Sequence, residues 1–169
     1  MLIPSIDTLL PHAGRMRLVD RIVSYDEQRI VCESDSHRAE DHPLADDGAL
    51  SILCGLEYGA QAMAIHGALL AVSAGPSRDR ARHGFLVAAS DLRWSVERLD
   101  QCAAPLTIEA VSEFRSDNQV AYRFEIRASG AILLSGHASV LLDAPVLPTQ
   151  GRAVEHRRFR DSGEKQRGR

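Results

Sequence analysis

The sequence predicts an α+β domain in which an antiparallel sheet wraps one long buried helix. Three observations predict it. Ala49 to Val72 is a 24-residue stretch with apolar residues on every side at helical spacing. From Gly84 onward the pattern changes to alternation with a period of two. Ser129-Gly130 then supplies a two-residue hairpin turn between the two clearest strands.

In chain order, residues 1–17 hold two prolines and a glycine and read as a short helix or turn leading into structure. Leu18 to Val23 and Arg29 to Glu33 read as two strands joined across Tyr25-Asp26-Glu27. Residues 34–48 carry four Asp, one Glu, His37, His42 and Pro43, a polar loop that delivers the chain to the helix. Asp46 and Asp47 sit where they favour a helix N-terminus electrostatically.

The Ala49–Val72 helix, roughly 36 Å long at ~1.5 Å per residue, has the length of a membrane span. Nine of its residues are Ala or Gly, and aromatic or basic anchors do not flank both ends, so the span is rejected. Gly55 and Gly59 predict that another backbone packs close against it. Ser73 to His83 reads as a second loop, with Arg78, Arg80 and Arg82. Phe85 to Val96 is a strand interrupted near Ser90-Asp91, and Leu106, Ile108 and Ala110 alternate with polar neighbours. Val120, Tyr122, Phe124, Ile126 and Ala128 face inward on the next strand. The return strand carries Ile132, Leu134, Gly136, Ala138, Val140 and Leu142 inward. The domain is expected over 1–145, with 146–169 a basic, disordered tail. Two early strands, one apolar helix and four later strands make the hotdog arrangement.

At 169 residues the chain is one domain with room for a core. Its net charge of −3 hides an asymmetry: residues 151–169 hold seven Arg or Lys against three Asp or Glu, leaving −7 on the rest. Nothing here reads as a nucleic-acid-binding surface. Cys32, Cys54 and Cys102 are isolated thiols without a CxxC pair, so neither a zinc site nor a disulfide framework is indicated. No basic segment precedes an apolar run at the start, so no secretory signal is read and the expected location is the cytoplasm.

Glu57 is the one formal charge in the helix. A carboxylate there costs several kcal/mol unless it is protonated, paired or wet. Gln61, four residues on, lies on the same face, where its amide can hydrogen-bond the carboxylate. His66 lies about 180° around the helix and cannot join them. Two readings stay open: a carboxylate satisfied by backbone N–H groups, and a general acid whose pKa is raised by burial.

With the motifs placed, the chain resembles the 3-hydroxyacyl-acyl carrier protein dehydratases of the FabZ type, and more closely the ApeP-like dehydratases of aryl-polyene clusters. Leu10-Pro11-His12 with Met16-Arg17-Leu18-Val19-Asp20-Arg21 is similar to the family's opening segment. Glu57-x-x-Ala60-Gln61 matches its central helix, and Asp91-Leu92-Arg93-Trp94 with Pro105-Leu106 resembles a later strand and the turn beyond it. The likeness runs over roughly residues 8–142.

The resemblance implies loss of water from a 3-hydroxyacyl thioester, with Glu57 as the acid and a histidine as the base. The FabZ run of glycine-histidine-phenylalanine-proline is missing. His42, 15 residues before Glu57, takes the base position with a one-residue insertion. On a second alignment the histidine is absent and Ala49 stands near its place; His37 and His12 are further candidates. Backbone N–H groups near Cys54 and Gly55 would hold the carbonyl oxygen. The resemblance implies no metal and no cofactor. It further implies an acyl carrier protein as substrate carrier, for which Arg78, Arg80 and Arg82 are the candidate dock, and a homodimer or a heterodimer with another hotdog subunit. A hotdog thioesterase and a non-catalytic hotdog subunit remain the alternatives.

Overall fold

In the computed structural model, residues 5–10, 14–74 and 84–142 are described. Pro11, His12, the arginine loop with Arg78, Arg80 and Arg82, and the 146–169 tail lie outside them. Two helices, α1 (Ile6–Leu9) and α2 (Gly55–Ser73), accompany six strands: β1 (Arg21–Tyr25), β2 (Arg29–Ser34), β3 (Gly84–Trp94), β4 (Leu106–Arg115), β5 (Gln119–Ala128) and β6 (Ala131–Leu142). The strands form one sheet in the order β1-β2-β4-β5-β6-β3, each neighbouring pair antiparallel. This is the hotdog fold expected from the sequence.

Alternation places the core. Leu106, Ile108 and Ala110 of β4 and Val120, Tyr122, Phe124 and Ile126 of β5 are buried against α2, which contributes Tyr58, Ala62, Ile65 and Leu69. The opposite face carries charge, for example the Arg29–Glu109 pair. Ser129 and Gly130, at φ of 48° and 80°, make the tight turn between β5 and β6.

Three expectations are corrected. The helix begins at Gly55 rather than Ala49, after a 3₁₀ turn over Ile52–Cys54. The six residues before it pair elsewhere: Leu50 N–H donates to the Asp100 carboxylate at 2.7 Å, Leu99 N–H to Leu50 carbonyl, and Ile52 N–H to Glu97 carbonyl. Arg98 beside Asp100 holds that carboxyl down at about 2, so the anchor stays ionised. Second, what Gly55 and Gly59 admit is side chain, not backbone. A Cβ on Gly55 would meet Leu134 at 2.7 Å, and one on Gly59 the Phe124 ring at 3.3 Å. Third, Ile132 faces outward at 42% exposure while Leu133 is buried, because the β5–β6 register shifts between Ile126 and Arg127.

His66 closes the far end. Its Nε2–H donates to the Asp26 carbonyl at 2.9 Å, and the Tyr122 hydroxyl donates to its Nδ1 at 3.1 Å. The imidazole thus ties the β1–β2 hairpin to the middle of α2. No helix among the described residues is long and apolar enough to cross a membrane.

The two sheet edges differ. β1 is a short edge strand, whereas β3 spans eleven residues and exposes Phe85, Leu86, Val87 and Trp94 between 39% and 55%. A long apolar edge is a template for another strand.

Candidate active site

Glu57 stands in the first turn of α2, half-buried. Gln61, one turn on and 1% exposed, donates from Nε2 to Glu57 Oε1 at 3.0 Å. The same nitrogen donates to the Met16 carbonyl at 2.7 Å, and Gln61 Oε1 accepts from Leu18 N–H at 2.8 Å. Both amide hydrogens and one lone pair of the oxygen are thereby engaged, so Glu57 is held by a rigid partner. The i, i+4 spacing predicted the pair; the grip on residues 16–18 is a tertiary feature the spacing did not carry.

His42 is 5% exposed and meets Tyr58, the neighbour of Glu57 on the helix. Leu44 N–H donates to His42 Nδ1 at 3.1 Å, which places the ring proton on Nε2, and Nε2 lies 3.0 Å from the Tyr58 hydroxyl. Tyr58 in turn donates to Ser36 Oγ at 2.7 Å, and Ser36 to the Leu18 carbonyl at 2.8 Å. Burial pushes the Tyr58 phenol up to about 12, so it stays a neutral donor. Burial first, and neighbouring His37 second, hold His42 below its ordinary pKa. Neutral His42 therefore has both ring nitrogens engaged.

His37 is fully buried, donates from Nε2 to the Cys102 carbonyl at 2.9 Å, and has an Nδ1 without a hydrogen-bond partner among the described residues. His137 lies on the outer face of the sheet near Asp91 and Glu113. His12, His83 and His156 lie outside the described residues.

The N–H groups expected to be unpaired are not. Cys54 N–H donates to the Ser51 carbonyl and Gly55 N–H to that of Ile52, because the 3₁₀ turn consumes them before α2 begins. Burial raises all three thiols, Cys32 to about 12, so none is a ready thiolate. Among the described residues no His, Cys, Asp and Glu group is arranged to hold a metal ion.

Burial lowers the pKa of His37, His42 and His66 alike from 6.5. Above that value both folded and unfolded chains hold these rings neutral. As pH falls below it, the unfolded chain takes up protons that the folded chain refuses, so stability drops. Asp26 and Asp100, held low by hydrogen bonds, begin to matter only in more acidic solution. The urea midpoint is accordingly expected to fall between about pH 7.5 and about pH 5.5, and to fall less in His66→Phe. Equal midpoints at the two pH values would contradict the assignment of neutral buried rings.

The family described as ApeP dehydratase matches residues 4–146. No curated protein matches. Among solved structures, a chain of the dehydratase heterocomplex ApeI:P from Xenorhabdus doucetiae superposes with a TM-score of 0.71 at 21% identity, over 83% of this chain and 91% of that one. AziG from S. sahachiroi gives 0.53 at 18% identity, over 79% and 97%. A hypothetical thioesterase with coenzyme A from Streptococcus pneumoniae gives 0.52 at 12%, over 72% and 84%. At these identities the structures share the fold with this chain.

Proposed function

The chain belongs to the ApeP-like dehydratase family, and from that premise we propose that it is one subunit of a 3-hydroxyacyl-acyl carrier protein dehydratase serving aryl-polyene or fatty-acid-like synthesis. The observation that carries this is Glu57, half-buried in the first helical turn and held by Gln61. In the proposed reaction a base takes the C2 proton of the thioester. Charge gathers on the carbonyl oxygen as the enolate forms. Glu57, as the carboxylic acid, gives its proton to the C3 hydroxyl; the C3–O bond breaks, and water and the trans-2-enoyl thioester result. The proton on the base returns to Glu57 to close the cycle. The positive end of the α2 dipole favours the charged oxygen, with Cys54 and Gly55 shaping the turn rather than donating to it.

The source of the base is the finer question. His42 is the residue the resemblance assigns, yet its ring nitrogens are engaged by Leu44 and Tyr58. Among the other described histidines, His37 and His66 are buried and bonded, and His137 is on the opposite face. This favours a base from a second, different hotdog chain paired along β3. The acyl group arrives on a carrier protein that docks at Arg78, Arg80 and Arg82.

The test compares substrates and partners. A 3-hydroxyacyl carrier-protein thioester and its short pantetheine counterpart are offered to the chain alone and to the chain with a second hotdog dehydratase subunit. Turnover is expected only in the mixture, with the carrier-bound substrate favoured and that advantage lost at high salt or in the triple Arg→Ser variant. Full turnover by the chain alone would remove the partner from the proposal, and equal use of both substrates would remove the dock.

A further inference from the structure

The hydrogen bonds around α2 form one continuous run. Leu44 N–H donates to His42, His42 to Tyr58, Tyr58 to Ser36, and Ser36 to the Leu18 carbonyl. On the other side of the same residue, Leu18 N–H donates to Gln61, and Gln61 donates to Glu57. Both polar groups of Leu18, whose side chain is fully buried, are thus fixed, one toward each end of the run.

We infer that His42 is a positioning residue, whose Nε2–H bond to Tyr58 sets the placement of the Glu57 carboxyl. This rests on the reading of Glu57 as the acid. Three features of the geometry carry it. The backbone of His42 is fixed within its loop: His42 N–H donates to the Ala39 carbonyl, and Ala45 N–H to the carbonyl of His42. Cys54 Sγ reaches the Leu44 carbonyl at 3.8 Å, so the loop meets the helix start at a second point. Tyr58 is fully buried and adjoins Glu57, so a shift of one shifts the other on the rigid helix. An imidazole in this place acts as a spacer of fixed length between loop and helix. A general base there would have to break its bond with Leu44 before it could accept a proton.

The experiment uses His42→Ala, His42→Gln and Tyr58→Phe in the full chain, assembled with whatever partner the wild type requires. Amide exchange at Leu44 is read together with kcat on a 3-hydroxyacyl thioester. His42→Ala is expected to speed Leu44 exchange and to lower kcat by about tenfold, less than the ~10²-fold or more that follows loss of a general base. Tyr58→Phe should match that fall in kcat, and the double variant with His42→Ala should be little worse than either, since each already breaks the run at the His42–Tyr58 bond. His42→Gln, whose amide can donate to Tyr58 but cannot serve as an imidazole base, should recover kcat to within about threefold of wild type. The inference is overturned if His42→Gln is as inactive as His42→Ala, or if Leu44 exchange is unchanged in His42→Ala. Should His42→Ala fail to fold, His42→Gln and Tyr58→Phe carry the same decision. A Glu57→Gln chain that kept its turnover would sink the acid reading, whereas the exchange result would stand on its own.

Discussion

Glu57→Gln is expected to lower dehydration by at least ~10²-fold while leaving the fold intact. The substitution keeps the size of the side chain and an oxygen for Gln61 Nε2 to donate to, now at 3.0 Å from Oε1. What it removes is the acidic proton that converts the C3 hydroxyl into water. Because Gln61 is already anchored by Met16 and Leu18, a neutral amide at position 57 meets the same preformed partner. The urea midpoint at neutral pH should therefore move little. Substrate binding should hold as well, so the loss should fall on kcat more than on KM. Retained turnover within about tenfold of wild type would take Glu57 out of the chemistry.

The second large effect concerns the sheet edge. Leu86→Lys is expected to convert the assembled protein to separated chains and to lower turnover by ~10²-fold or more, as loss of the base does. Leu86 pairs with Val140 on the inner side of the sheet and is 39% exposed, on a strand whose outer side has no neighbour among the described residues. A lysine there has to be desolvated before another strand can dock, which is how natural edge strands refuse partners. The folded chain loses little, since the position is only partly covered. Light scattering reports the mass, and the same samples report activity. A variant that stays assembled, or one that separates and keeps full turnover, would contradict pairing along β3.

Local pattern made much of this legible. The Glu57–Gln61 contact follows from a four-residue spacing, and the inward residues of β4 and β5 follow from alternation. The type of the β5–β6 turn was readable in Ser129-Gly130. What escaped was set by distant residues. Leu50 looks helical by composition, but Asp100, fifty positions away, claims its N–H and delays α2. Leu133 replaces Ile132 inside because a one-residue register shift leaves no trace in an apolar run. His42 is a candidate base by the resemblance, and the meeting of its ring with Leu44 N–H and the Tyr58 hydroxyl is a tertiary detail that pattern does not carry. Leu18, the joint between the two halves of the site, is an ordinary apolar residue whose backbone carries the role.

The most direct measurement of the central claim is the intact mass of a carrier protein bearing a 3-hydroxyacyl group after incubation with the assembled protein. Loss of one water in the wild type, absent with Glu57→Gln, is the predicted result. Release of the free carrier protein by hydrolysis, or equal loss of water with and without the Glu57 carboxyl, would contradict it.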